Sequence, residues 1–169
     1  RGLTPETVSS VTITAGTTAV NMLSVSPIEN VFDAQFSLPY AVALALCGSD
    51  LGLADYDPPR TGEARISAVL DSITMQVDDS IQIEDGPRLT FVLADGETIT
   101  VNAGNPTDAR GSAVRPLSHD DVVAKATTLL RPLGGDVGSR LVSAVENLDD
   151  APDLTELLAV LAAERVPTS

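Results

Sequence analysis

From Val8 to Thr14 apolar and polar residues alternate, with Val11 and Ile13 on one side, and the alternation predicts a β-strand. Thr4-Pro5-Glu6 ahead of it reads as a short turn with proline at the first helical position. Gly16 to Pro27 is polar, and no period decides its structure. From Asp33 to Leu46 the period becomes helical: Phe36, Tyr40, Ala43 and Leu44 recur at helix spacing. Pro39 is placed near the beginning of this expected helix, where proline is tolerated, and Gly48 closes it.

Asp57-Pro58-Pro59 breaks the chain. Gly62 to Asp71 then reads as a helix, with Ile66, Val69 and Leu70 on one side, and Ile73 to Val77 as a strand. Leu89 to Leu93 and Thr98 to Val101 flank Asp95-Gly96, the signature of a β-hairpin. Gly104 to Pro116, containing Pro106 and Gly111, is a long polar loop. Ser118, with Asp121 three residues on, starts a helix through a capping box. That helix runs to about Leu130 and stops at Pro132; a second covers Val137 to Leu148, and Asp153 caps a last one through Glu164. The order predicts the α+β class: a small, largely antiparallel sheet backed by helices, with a helical C-terminal segment. One domain over residues 1–169 is expected, with 118–165 as its helical part.

Composition narrows the function. Aromatic residues make up 3% of the 169, so the core must be aliphatic. Ten basic against 24 acidic residues give a net charge of −14, which argues against nucleic acid and anionic membrane surfaces. The apolar run from Leu38 to Cys47 is too short to span a bilayer, and with no secretory signal the cytoplasm is the expected location. Cys47 is the single cysteine, so no internal disulfide is possible. The start at Arg1 rather than Met points to a segment of a longer polypeptide.

Few residues carry recognisable chemistry. No phosphate-binding loop, metal-ligand spacing or nucleophile elbow is present, and the acidic pairs Asp78-Asp79, Glu84-Asp85 and Asp149-Asp150 match no calcium loop. His119 lies beside Asp120 and Asp121 in a first helical turn, where histidine is ordinarily solvated. Arg60, Arg110 and Arg115 lie in loops and are the candidates for contact with an anion. Tyr40 lies on an otherwise apolar helix, where its hydroxyl needs a partner or a substrate.

The segment DAQFSLPYAVALALCGSDLGLADY, residues 33–56, resembles the start of the C-terminal domain of the MmgE/PrpD family, which includes 2-methylcitrate dehydratase, cis-aconitate decarboxylase and iminodisuccinate epimerase. The family pattern A-[KQ]-F-S-x-x-Y-x-x-A is matched by Ala34 to Ala43. Leu3 to Thr14 resembles its entering strand, Leu89 to Val101 its hairpin, and Pro116-Leu117-Ser118 with Asp121 and Lys125 its N-P-L-S stretch. Gly104 to Arg115 departs from the family in being longer and richer in arginine.

The resemblance implies an α+β lid on a large all-helical domain, in the same polypeptide or a separate subunit, with the active site between them. It implies a small polycarboxylate substrate, no metal or organic cofactor, and a homodimer built mainly through the helical domain. The implied reaction removes a proton beside a carboxylate, then expels water or carbon dioxide or returns a proton on the other face. Tyr40 takes the place of the family's lid tyrosine and is the expected catalytic residue. Ser37, Arg110 and Arg115 are the expected substrate contacts. The alternative is a non-enzymatic module that binds a ligand or protein with the same fold.

Overall fold

The structure, a computed structural model, describes residues 2–105, 107 and 109–163. Pro106 of the expected loop and Glu164 of the expected last helix lie outside the described residues. The chain divides into two compact units, Arg1–Ala109 and Arg110–Ser169.

In the first unit, β1 (Val8–Ala15) is followed by α1 (Thr17–Leu23), α2 (Val31–Gln35), α3 (Leu38–Leu46) and α4 (Ala64–Asp71), then by β2 (Ile73–Val77), β3 (Arg88–Leu93) and β4 (Thr98–Asn102). The sheet order is β2-β1-β3-β4. β1 pairs in parallel with β2, from Val11 opposite Ile73 to Ala15 opposite Val77, and the other two pairs are antiparallel. The parallel pair follows from the four helices between β1 and β2, which carry the chain back to its starting end. Alternate residues of β1, Val11, Ile13 and Ala15, are buried as the sequence period requires. They join Tyr40, Ala43 and Leu44 of α3, Ile66 and Val69 of α4, and Phe91 of β3 in the unit's core.

The helix expected from Asp33 to Leu46 is instead two, α2 and α3. A proline at position 39 inside one continuous helix would clash with the carbonyl four residues back and remove a hydrogen bond. The chain avoids this by starting afresh. Ser37 caps α3, its Oγ accepting from the Tyr40 N–H at 3.3 Å, and Pro39 falls in the first turn, where its missing donor costs nothing. α2 has its own cap in Asn30. One consequence is that Phe36 lies 47% exposed rather than on the core face. Gly48 ends α3 with φ +83°, and the N–H groups of Gly48 and Ser49 bond back to the Ala45 and Leu44 carbonyls.

The ambiguous stretch after Gly16 contains α1, and the helix expected from Gly62 begins at Ala64 after a single 3-10 turn over Arg60–Gly62. In the second unit α5 (His119–Leu130) starts at the Ser118–Asp121 capping box. It gives way to a 3-10 turn, Arg131–Leu133, at Pro132. α6 (Val137–Glu146) ends two residues early, where Leu148–Asp150 forms a 3-10 turn. α7 (Thr155–Ala163) begins where the Asp153 carboxylate accepts from the Thr155 N–H at 2.8 Å. Among the described residues this unit buries only Val137, Ala144 and Val160.

Candidate functional site

The first turn of α3 points Tyr40 into the core, where it is 0% exposed. Its hydroxyl donates to the Asp55 carbonyl at 2.7 Å and accepts from the Arg60 N–H at 2.7 Å. Tyr56 meets it edge-on, with ring centroids 6.0 Å apart and planes at 78°. Burial pushes the Tyr40 hydroxyl's pKa up, against the opposing influence of Arg60, so the phenol stays protonated.

Around the phenol, residues 49–63 form a charged knot. Asp55 Oδ2 accepts from Ser49 Oγ at 2.6 Å and from the Gly52 N–H at 2.9 Å, and Oδ1 accepts from Arg60 Nη1 at 2.5 Å. Burial works against the Asp55 charge, but the hydrogen bonds from Ser49, Arg60 and Gly52 outweigh it and hold the carboxyl below its usual range. The other edge of the Arg60 guanidinium grips Glu63 through both oxygens, Nε at 2.6 Å and Nη2 at 3.0 Å. One cation thus faces two carboxylates, and three of the five Arg60 N–H donors are engaged within the chain.

A second feature lies past the C-terminal ends of β1 and β2. Gly16, Met22 and Leu23 face Asp79, Ile81 and Pro87 across a cavity of about 540 Å³. Thr17 ties its walls together: its N–H and Oγ both donate to Asp79 Oδ1, at 3.0 and 2.7 Å. These bonds hold the Asp79 carboxyl below its usual range. The wall is mostly apolar and its one charged group is a carboxylate, a poor lining for a polycarboxylate.

The model of the MmgE/PrpD C-terminal domain matches residues 1–150. The chain belongs to the MmgE/PrpD family. No curated protein matches it. A C-terminal domain of this family implies an N-terminal partner domain. The family match takes in the first unit together with α5 and α6, and α7 lies beyond it.

Within this MmgE/PrpD domain, Ser37 and Tyr40 share one helical turn, and neither lines the cavity beside α1. Ser37 is 2% exposed and spent on capping α3, and both hydrogen-bonding directions of the Tyr40 hydroxyl are used inside the unit. Arg110 and Arg115 share one loop of the second unit. Arg110 pairs with Asp121 of the α5 capping box. Arg115 is exposed, with its N–H on Ser112 Oγ at 3.1 Å and its carbonyl accepting from the Gly111 N–H at 2.7 Å.

His119 is exposed and its Nε2 lies 2.8 Å from Glu146 Oε1. Burial raises the Cys47 thiol pKa, the wrong direction for a nucleophile. No described helix is long and apolar enough to cross a membrane.

Sequence reasoning missed the Asp55–Arg60–Glu63 knot and the cavity beside α1. The signal for the knot was Asp57-Pro58-Pro59, read only as a break.

Proposed function

We propose that this domain is the lid of an MmgE/PrpD-type lyase (dehydratase, decarboxylase or epimerase) that acts on a small polycarboxylate once its all-helical partner domain is present. The observation that carries this reading is the family match over residues 1–150, which implies a partner domain. Charge supports the dependence: Arg60, Arg65, Arg88 and Arg110 are each paired with a carboxylate of this chain. The positive groups that hold the substrate, and the base that takes its proton, then belong mainly to the partner.

In this proposal the lid supplies shape and enclosure. Closing it over the substrate excludes water and strengthens every charge interaction inside. Tyr40 acts as a positioning residue, holding residues 55–60 in the form that meets the partner, and Ser37 fixes the helix that carries it. Arg115, in the exposed loop, is the lid's candidate contact for a substrate carboxylate.

The test is reconstitution with the all-helical domain encoded with this chain, assayed on 2-methylcitrate, cis-aconitate and iminodisuccinate. Turnover that needs both parts supports the lid. If the reconstituted pair binds one of these acids but never converts it, the non-enzymatic binding module replaces the lyase. Tyr40→Phe separates roles: a positioning residue lowers kcat without moving the pH profile, and a profile that shifts makes the phenol a proton carrier.

A further inference from the structure

The chain has three phenylalanines, and only Phe91 joins the core. Phe32 is 70% exposed, the most of any large apolar side chain among the described residues, and Phe36 is 47% exposed. The two stand at i and i+4 on α2, with the Phe36 N–H on the Phe32 carbonyl at 3.1 Å, so their rings share one side of the helix. α2 is held firmly beneath them. Ala34 is fully buried, and Asn30 and Asp33 close a capping box on the first turn. The rings are thus fixed away from the core rather than free to collapse onto it.

The loop after α3 repeats the pattern. Leu51 and Leu53 are 43% and 59% exposed on either side of Gly52. Leu51 has φ +56°, a left-handed backbone that leucine adopts only under strain, and it is the one non-glycine residue with positive φ among those described. The Leu51 N–H on Ser49 Oγ and the Gly52 N–H on Asp55 Oδ2, both at 2.9 Å, hold it there. Strain kept at an exposed leucine adds nothing to this unit's core and points to a contact outside it. Tyr40 joins the two places: its helix starts at Ser37, next to Phe36, and its hydroxyl donates to the Asp55 carbonyl, two residues past Leu53.

We propose that Phe32 and Phe36 of α2, with Leu51 and Leu53, are the anchors that seat this domain on the N-terminal partner domain that its family membership implies. Aromatic side chains on a rigid support carry most of the energy of an interface, and a support already ordered loses little freedom on docking. Charge favours this partner over a second copy of the chain. Residues 2–59 hold Glu6, Glu29, Asp33, Asp50, Asp55 and Asp57 and no Lys, Arg or His, so two copies of this face repel each other. The assignment rests on the partner domain of the lid reading and not on the lyase chemistry proposed with it.

The test is hydroxyl-radical footprinting of the protein that carries both domains, each rate taken relative to the free amino acid. Phe32, Phe36 and Leu53 are expected to be protected about tenfold or more. Phe32→Asp, at a side chain outside the core, is expected to raise labelling of Phe36 and Leu53 about tenfold with the circular dichroism unchanged. If Phe32→Asp unfolds the protein, Leu51→Gly, which accepts a positive φ without strain, is expected to raise the Leu53 labelling in its place. Full labelling of Phe32 and Leu53 in the two-domain protein overturns the proposal, even where that protein converts a polycarboxylate. So does protection that is present only when sedimentation shows a doubled particle, since that assigns the face to a second copy. Protection without turnover supports the contact and removes the lyase reading instead.

Discussion

The Arg60 N–H donates to the Tyr40 hydroxyl at 2.7 Å across twenty residues of sequence, and the same hydroxyl donates onward to the Asp55 carbonyl. The phenol is therefore a clasp between α3 and the loop that follows it. Tyr40→Phe keeps the ring but leaves a backbone donor and a backbone acceptor unpaired in a half-buried place. The expected loss is about 1–3 kcal/mol of unfolding free energy, since an orphaned buried group costs more than a hydrogen bond gains. Urea denaturation should show a lower midpoint at unchanged slope. An unchanged midpoint would mean that water replaces the clasp without cost.

Asp55 makes the knot sensitive to acid. Its carboxyl is held below the usual range in the folded chain, where hydrogen bonds from Ser49, Arg60 and Gly52 overcome the effect of burial. A carboxyl lowered by folding contributes stability that is fully present above its unfolded value of about 3.9 and is lost as pH falls through the folded value. Stability should thus fall on acidification below about pH 4. Glu63, Asp78, Asp79 and Asp121 are also held low by hydrogen bonds and act in the same sense. Asp55→Asn should be less stable near neutrality yet lose less between about pH 6 and pH 2, because it has one such proton fewer to take up. Melting curves across that range check it, and parallel losses in both proteins would contradict it.

The parts of the fold set by local pattern were legible in the sequence. β1 is visible from its alternation, the hairpin from Asp95-Gly96, and α5 from Ser118 with Asp121. The split between α2 and α3 was also present in Ser37 and Pro39, but the continuous apolar pattern across them hid it. What sequence could not reveal is long-range. α1 is seven residues long with none fully buried, too short for a helical period to stand out, and it is tied down through Asp79, sixty-two residues from Thr17. The expectation for Tyr40 failed to reach its environment for the same reason. That a tyrosine on an apolar helix needs a partner is local knowledge, and that Asp55 and Arg60 fill both roles is not.

Ser37 tests whether the break between α2 and α3 is actively held. Its Oγ accepts from the Tyr40 N–H, and its 2% exposure leaves little room for water to take its place. Ser37→Ala should cost about 1 kcal/mol, the usual value of a helix N-cap. Hydrogen exchange at the Tyr40 amide should quicken more than at Leu44 in the middle of α3. Equal quickening at both would mean that Ser37 serves packing rather than capping.

Gly86 and Gly48 separate two reasons for glycine. Both have positive φ, +68° and +83°, and Gly86, with ψ 170°, also lies in a backbone region that essentially only glycine adopts. A Cβ on Gly48 would meet open space, whereas one on Gly86 would lie 2.1 Å from the Gly104 carbonyl oxygen. That approach belongs to the open end of the hairpin, where the Ala103 N–H bonds the Pro87 carbonyl at 2.8 Å just past β4. Backbone cannot swing aside as a side chain can. Gly86→Ala must therefore part the two chains, break this bond and disturb the cavity wall that Gly86 and Pro87 form. The expected result is a loss for Gly86→Ala that exceeds that for Gly48→Ala by more than about 1 kcal/mol, read from urea midpoints. Equal losses would show that the hairpin end yields freely and that the close approach to Gly104 costs nothing.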